Sequence, residues 1–354
     1  MNIPKLRKEK TAKNYHGYEL IDSYAYVDQP SDIIEVLQNP EKLLPEVRKY
    51  LEENNKITEE YFEDTKELQK KLFSEIKSKI KLADESLKYK DDRYFYWTKT
   101  VESGNYGKYL RQKIGSTLIE TYFDGDKEKE LSGSKYFGLG AISVSPDDQL
   151  LSYSVDLKGS EYYDIFLRNI SNNKIIEKKI ENTSGSIVWN SNSKSFFYTP
   201  LDKFHRSKKI YRHILGTPSE EDRLIFEEKD DSFSVSISLS SDEKFLIISS
   251  SDSNTVEEYF FFEKDEEIKP KLFRARKKGI KYSIDSWKNY WYIHTNQNAM
   301  DYQVLRCSHN DIKKLDVFIP PKEETVIGGF DFLDNYILRG EKSDAIPKLF
   351  IRNI

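Results

Sequence analysis

From about residue 83 onward, apolar positions fall in short runs of near period two, separated by clusters of Ser, Asn, Asp and Lys, and the pattern recurs. Six stretches align on one another: KDDRYFYWTK at 90, SPDDQLLSYSVD at 145, NSNSKSFFYTPLD at 190, SSDEKFLIISSSD at 240, WKNYWYIHTNQ at 287 and FLDNYILRGEKSD at 332. Each is a polar turn leading into an apolar or aromatic strand. After most of them comes a strand of charged and aliphatic alternation: YGKYLRQKI, YYDIFLRNI, KKIYRHILG, VEEYFFFEK, DYQVLRCSH and PKLFIRNI. The repeat of roughly 45 to 55 residues is that of a four-stranded propeller blade. Such a sheet cannot bury both of its faces alone and must stack on neighbours. The last unit begins with VIGGFDFL, continues with NYILRGE and reaches a third strand in PKLFIRNI. We therefore expect an open arc of six units with a three-stranded final blade, marginally stable and prone to self-association.

The first 82 residues have a helical period instead. Pro45 opens EVRKYLEENNKITEEYF as a helix with proline in its first turn. Asp64 and Glu67 stand at capping-box spacing ahead of Leu68, Leu72, Ile76 and Ile80, one apolar stripe whose expected role is packing. The expected organisation is a helical extension over 1–82 and an incomplete propeller over 83–354.

Composition supports the strand-rich reading: 24 Tyr and 20 Phe bring the aromatic share to 14%. With 56 Lys and Arg against 60 Asp and Glu, the net charge of -4 supplies no basic field for nucleic acid or an anionic membrane. The charged start MNIPKLRKEKTAKNYHG lacks the apolar core of a signal peptide, and no run is long enough to span a membrane. A single cysteine, Cys307, excludes an intrachain disulfide and reads as a buried strand thiol. A cytoplasmic protein is expected.

Candidate chemistry is sparse. KKIYRHILGTPSEEDRLIFEEKDDS gathers His213, basic residues and carboxylates, yet it parses as third strand, turn, fourth strand and connection, which makes the cluster scaffold. FRARKKGIKY at 273 reads as a strand with one wet face, and DGDKE at 124 as a polar turn without the spacing of a calcium loop. No G-x-S-x-G, phosphate-binding loop, H-E-x-x-H or C-x-x-C occurs, and the five histidines are scattered. No catalytic residue, cofactor or metal is expected in this chain.

The ordered strand texts resemble the oligopeptidase B branch of the prolyl oligopeptidase family of serine peptidases. The resemblance is carried by HGYELIDSYAYVDQ at 16, YLEENNKITEEYF, YFYWTKTVESGNYGKYLRQK, YFGLGAISVSPDDQLLSYSVDLKGSEYYDIFLRNI, IVWNSNSKSFFYT with Trp189, and YRHILGTPSEEDRLIFEEKDDSF. It implies an all-β, seven-bladed propeller with an α-helical N-terminal extension, here truncated in the sixth blade. In the family the propeller caps an α/β-hydrolase domain with a Ser-Asp-His triad, admits only oligopeptides and accompanies cleavage after Arg or Lys. That hydrolase domain is absent from this sequence, so the chain alone is expected to be inactive. By the same resemblance His16, Gly17, Asp22, Tyr24, Tyr26 and Asp28 are possible docking positions for the hydrolase domain. The alternative is a stand-alone propeller that binds a protein or peptide. The SPDD turn places Asp148 where a glycine is usual, which leaves its backbone type open.

Overall fold

The computed structural model describes residues 3–28, 40–265 and 267–353, so Gln29 and Ile354, the ends of two of the stretches above, lie outside them. The chain separates into two compact units, Met1–Phe137 with Leu157–Ser160, and Gly138–Asp156 with Glu161–Ile354.

In the first unit β1 (Thr11–Tyr15) and β2 (Tyr18–Asp22) form an antiparallel hairpin. Two helices follow, α1 (Pro45–Tyr61), with proline at its first positions as the sequence predicts, and α2 (Lys66–Ser78). The capping box does not form. Thr65 occupies the cap position in a near-helical conformation and Asp64 lies in a 3-10 turn, Glu63–Thr65. A capping residue needs an extended backbone, and the Thr65 hydroxyl instead donates back to the Phe62 carbonyl at 2.7 Å. The stripe expected to pack is open: Leu68, Leu72, Ile76 and Ile80 are all exposed. A four-stranded sheet completes the unit, β3 (Tyr89–Asp91), β4 (Tyr94–Lys99), β5 (Lys108–Lys113) and β6 (Ile119–Asp124), around buried Trp97, Leu110 and Phe123. DGDKE is not a turn. Asp124 caps α3 (Gly125–Ser132) by accepting from the Lys127 amide, and Asp126 and Glu128 suit the positive end of that helix.

The second unit is a succession of antiparallel meanders. The first seven strands are β7 (Gly138–Val144), β8 (Leu150–Asp156), β9 (Tyr163–Asn169), β10 (Ile180–Trp189), β11 (Ser195–Pro200), β12 (Lys209–Ile214) and β13 (Arg223–Glu227). They run on as one hydrogen-bonded series because β10 serves two sheets, pairing with β9 near Ile180 and with β11 near Trp189. The change of partner occurs at an irregularity between Thr183 and Ile187, where Gly185 holds φ +86° and a Cβ would stand 3.0 Å from Ser154 Oγ. Two separate four-stranded sheets follow: β14 (Ser234–Leu239) to β17 (Lys271–Arg274) through β15 (Phe245–Ser251) and β16 (Val256–Phe262), then β18 (Tyr282–Trp287), β19 (Tyr290–Thr295), β20 (Gln303–Ser308) and β21 (Asp311–Ile319). The last sheet has three strands among the described residues, β22 (Thr325–Phe332), β23 (Tyr336–Ser343) and β24 (Ile346–Asn353).

All six aligned turns join the first and second strands of a sheet, and the strands quoted after them are the third. Five of these turns carry a left-handed residue that is not glycine: Asp92, Asp148 (φ +63°), Ser193, Glu243 and Lys288. Side chains offset that strain. Asp147 Oδ1 accepts from Ser145 Oγ and the Gln149 amide, and Asp242 Oδ1 accepts from Ser240 Oγ and the Lys244 amide.

Between successive sheets of this unit lie apolar clusters built by strict alternation. On β15, Phe245 and Ile247 join Trp291, Ile293 and Cys307 of the following sheet, whereas Leu246 and Ile248 join Phe197 and Ile210 of the preceding one. On β19, Trp291 faces back, and Tyr292 packs on Ile327 and Phe332 of the last sheet. Sheets that bury both faces against their neighbours are β-propeller blades, and this is why FLII reads as an unbroken apolar run.

Candidate functional site

The residues singled out for docking share one strip and no pocket. His16 (φ +52°) and Gly17 (φ +87°) form the two-residue turn between β1 and β2, and Asn14 Oδ1 accepts from the Gly17 amide at 3.0 Å. Asp22 ends β2, and its Oδ1 accepts from the Tyr24 amide at 2.8 Å. Tyr26 donates to the Arg7 carbonyl at 2.9 Å beneath the Arg7 guanidinium, which pairs in turn with Glu46 in the first turn of α1. Asp28 is exposed. His16 and Gly17 stand at the far end of the hairpin from Asp22, roughly 14 Å away for four residues of strand. The six positions therefore do not converge on a reacting atom.

Beside them stands an open apolar surface. Tyr15, Tyr18, Leu20 and Ile21 are all exposed, and every residue of β2 is open. A two-stranded hairpin without a covered face is marginal in water.

The buried polar groups include one arrangement of catalytic residue types. Ser286 Oγ lies 3.0 Å from both Asp242 Oδ2 and His309 Nε2, which unites the residue types of a nucleophilic triad. The order is wrong, because the carboxylate contacts serine rather than imidazole, and Ser286 is fully buried from any substrate. Cys307 is buried on β20 as expected, and burial pushes its thiol up to about 11, away from the reactive thiolate. Among the described residues no group of three His, Cys, Asp or Glu side chains is placed to hold a metal.

The buried charges link sheets. His213 on β12 is 2% exposed and is held between Asp222 (Nδ1–Oδ1, 2.8 Å) and Glu177 (Nε2–Oε1, 2.9 Å), which comes from the connection before β10. Burial opposes its charge, but the hydrogen bonds to both carboxylates outweigh burial and push the imidazole up to about 9. Tyr198 Oη completes the cluster by donating to Asp222 Oδ2 at 2.9 Å. The scaffold reading of His213 holds; Glu177, 36 residues distant, was invisible in the local sequence. FRARKK is not a continuous strand with one wet face. Its strand stops at Arg274, and Arg276 turns inward to Glu228 Oε2 at 2.5 Å and Glu257 Oε1 at 3.1 Å, with Phe233 beneath it at 3.9 Å. Neighbouring sheets are also stitched through their turns: Ser193 Oγ accepts from the Asp147 amide, and Ser241 donates its amide and hydroxyl to the two oxygens of Asp285.

Against this geometry, residues 4–354 match the family model described as "Prolyl oligopeptidase, N-terminal beta-propeller domain". The chain belongs to that family. Dipeptidyl aminopeptidase BI of Pseudoxanthomonas mexicana is 25% identical over 97% of this chain and 48% of the relative, and Protease 2 of Moraxella lacunata 27% identical over 97% and 49%. Oligopeptidase B from Trypanosoma brucei with covalently bound antipain superposes with a TM-score of 0.87 at 24% identity, over 100% of this chain and 51% of that structure. Oligopeptidase B from Leishmania major gives 0.88 at 21%, over 99% and 51%. The chain thus spans about half the length of the relatives it matches. In this prolyl oligopeptidase-family propeller the buried charges are inter-blade ties, and no helix among the described residues is long and apolar enough to cross a membrane.

Proposed function

We propose that this chain is the substrate-gating propeller of an oligopeptidase B-like serine endopeptidase that cleaves oligopeptides after Arg or Lys, hydrolysis being carried out by an α/β-hydrolase domain on which the propeller docks. The observation that carries this reading is the chain-long family match to half of each relative, joined to an N-terminal hairpin whose apolar residues stand open. In this reading residues 83–354 supply the blades. His16, Gly17, Asp22, Tyr24, Tyr26 and Asp28 shape the docking strip: the His16–Gly17 turn sets the hairpin register, and Asp22 with Tyr26 fixes its exit toward α1. The stand-alone binding module gains no support from the sheet pairing, since β1 and β2 pair with each other and the last sheet stays three-stranded among the described residues.

The test is complementation. The purified chain alone should leave chromogenic Arg and Lys substrates uncut and take up no serine-directed fluorophosphonate. Mixed with a polypeptide carrying the remaining strands and the hydrolase domain of an oligopeptidase B, it should restore cleavage after basic residues. Labelling of a serine in this chain, or no association at micromolar concentration with both pieces soluble, refutes the proposal.

A further inference from the structure

A pocket of about 370 Å³ opens where the last two sheets meet, walled by Trp287, Tyr290, Tyr292 and Phe318 and flanked by Arg306 and Arg352. Its charge is of one sign: Lys288 adds a third cation, and among the described residues no carboxylate lines it. Arg306 Cζ lies 4.6 Å from the Tyr290 ring centroid and 5.3 Å from that of Phe318, and Arg352 Cζ lies 5.0 Å from the same Phe318 ring. Two guanidinium groups thus lie against a single ring, and no carboxylate among the described lining residues stands between them. Asp316 stands opposite Arg306 in the β20–β21 register, yet it forms no ion pair with Arg306 among the described residues.

Two polar atoms at this place are orphaned. Trp287 Nε1 and Arg306 Nε are buried without a hydrogen-bond partner, and both residues line the pocket. Buried donors are normally satisfied, so two such exceptions at one pocket call for an explanation. The walls are preformed: Trp287 stacks on Phe332 at 5.6 Å and 10°, and Tyr292 meets Phe318 edge-on at 5.0 Å.

We propose that this pocket binds a small organic oxyanion, a carboxylate or phosphate on a flat apolar body, with Arg306 and Arg352 holding the charge and the aromatic walls holding the body. Guanidinium groups match the two-oxygen edge of either anion, and the volume lies in the range of small-molecule sites. The assignment is independent of the proposed peptidase role, because a peptide ending in Arg or Lys would bring a further cation to a pocket that already has three.

Titration calorimetry of the intact chain with AMP, N-acetylphenylalanine and inorganic phosphate tests it, with adenosine and N-acetylphenylalaninamide as neutral counterparts. Expected is saturable one-to-one binding of AMP or N-acetylphenylalanine, at least tenfold tighter than its neutral counterpart and tighter than phosphate. AMP as the tighter ligand assigns a phosphate, N-acetylphenylalanine a carboxylate. Arg352→Gln, on exposed β24, should weaken binding at least tenfold with an unchanged circular dichroism spectrum and Tm, and Arg306→Gln should do so where it folds. No saturable binding, equal binding of the neutral counterparts, phosphate binding as tightly as AMP, or an unaltered affinity in Arg352→Gln overturns the proposal.

Discussion

Replacing His213 with Gln tests whether buried charge ties β12 to the connection between β9 and β10. In the folded chain the imidazole is held up to about 9 by Asp222 and Glu177, against about 6.5 in an unfolded chain. A group whose folded value is raised contributes its full stabilisation below pH 6.5 and loses it as pH rises through 9. At 1.36 kcal/mol per unit, the stabilisation at stake is about 3 kcal/mol, a large part of a typical domain's net stability. His213 is buried, so solvent screens little of this. His213→Gln should therefore be strongly destabilised in urea at pH 6, and its deficit relative to wild type should shrink by about 3 kcal/mol between pH 6 and pH 9.5. Using the difference between the two proteins removes the titrating groups that do not contact His213. The His213 ring protons, followed by NMR, should titrate near pH 9. A deficit that stays constant across this range, or a ring that titrates below 7, refutes the argument that the two carboxylates hold His213 charged.

Three further outcomes follow from the same structure. Glu258, buried on β16 with its Oε2 accepting from the Ile284 amide at 2.7 Å, is pushed up to about 8 by burial, so its ionisation costs stability progressively from pH 4.5 to 8; Glu258→Gln should match wild type at pH 4.5 and exceed it at pH 9, and equal stability at both ends would contradict this. Trp291→Ala empties the centre of the cluster between the β14–β17 and β18–β21 sheets, where Trp291 is 1% exposed, and should cost about 3–5 kcal/mol in urea unfolding, a loss below 1 kcal/mol being incompatible with that packing. Strand β24 is exposed throughout, with Ile346, Leu349 and Ile351 open, so the isolated chain should self-associate in light scattering, and Leu349→Lys should shift it toward monomer; a concentration-independent monomer in the wild type would refute this.

The repeat, the strand order within each unit and the place of every first turn were legible in the linear chain, because a meander keeps its pairing partners adjacent in sequence and its period is written in the turns. Pro45 likewise announced α1, since its fixed φ acts on its own residue. Local signals failed where the backbone was set by a neighbour. The Asp64–Glu67 box was overruled by the 3-10 turn leaving α1, and Asp124 was read as a turn although its side chain starts a helix. Tertiary structure alone decided which charges meet. Glu177 reaches His213 across 36 residues and Glu228 reaches Arg276 across 48; the repeat sets which sheets adjoin, but it does not say which side chains turn inward to pair. It also decided that the α2 stripe and the β1–β2 hairpin lie open: amphipathic spacing states that a face seeks a partner, and only the packed chain shows whether that partner is within it.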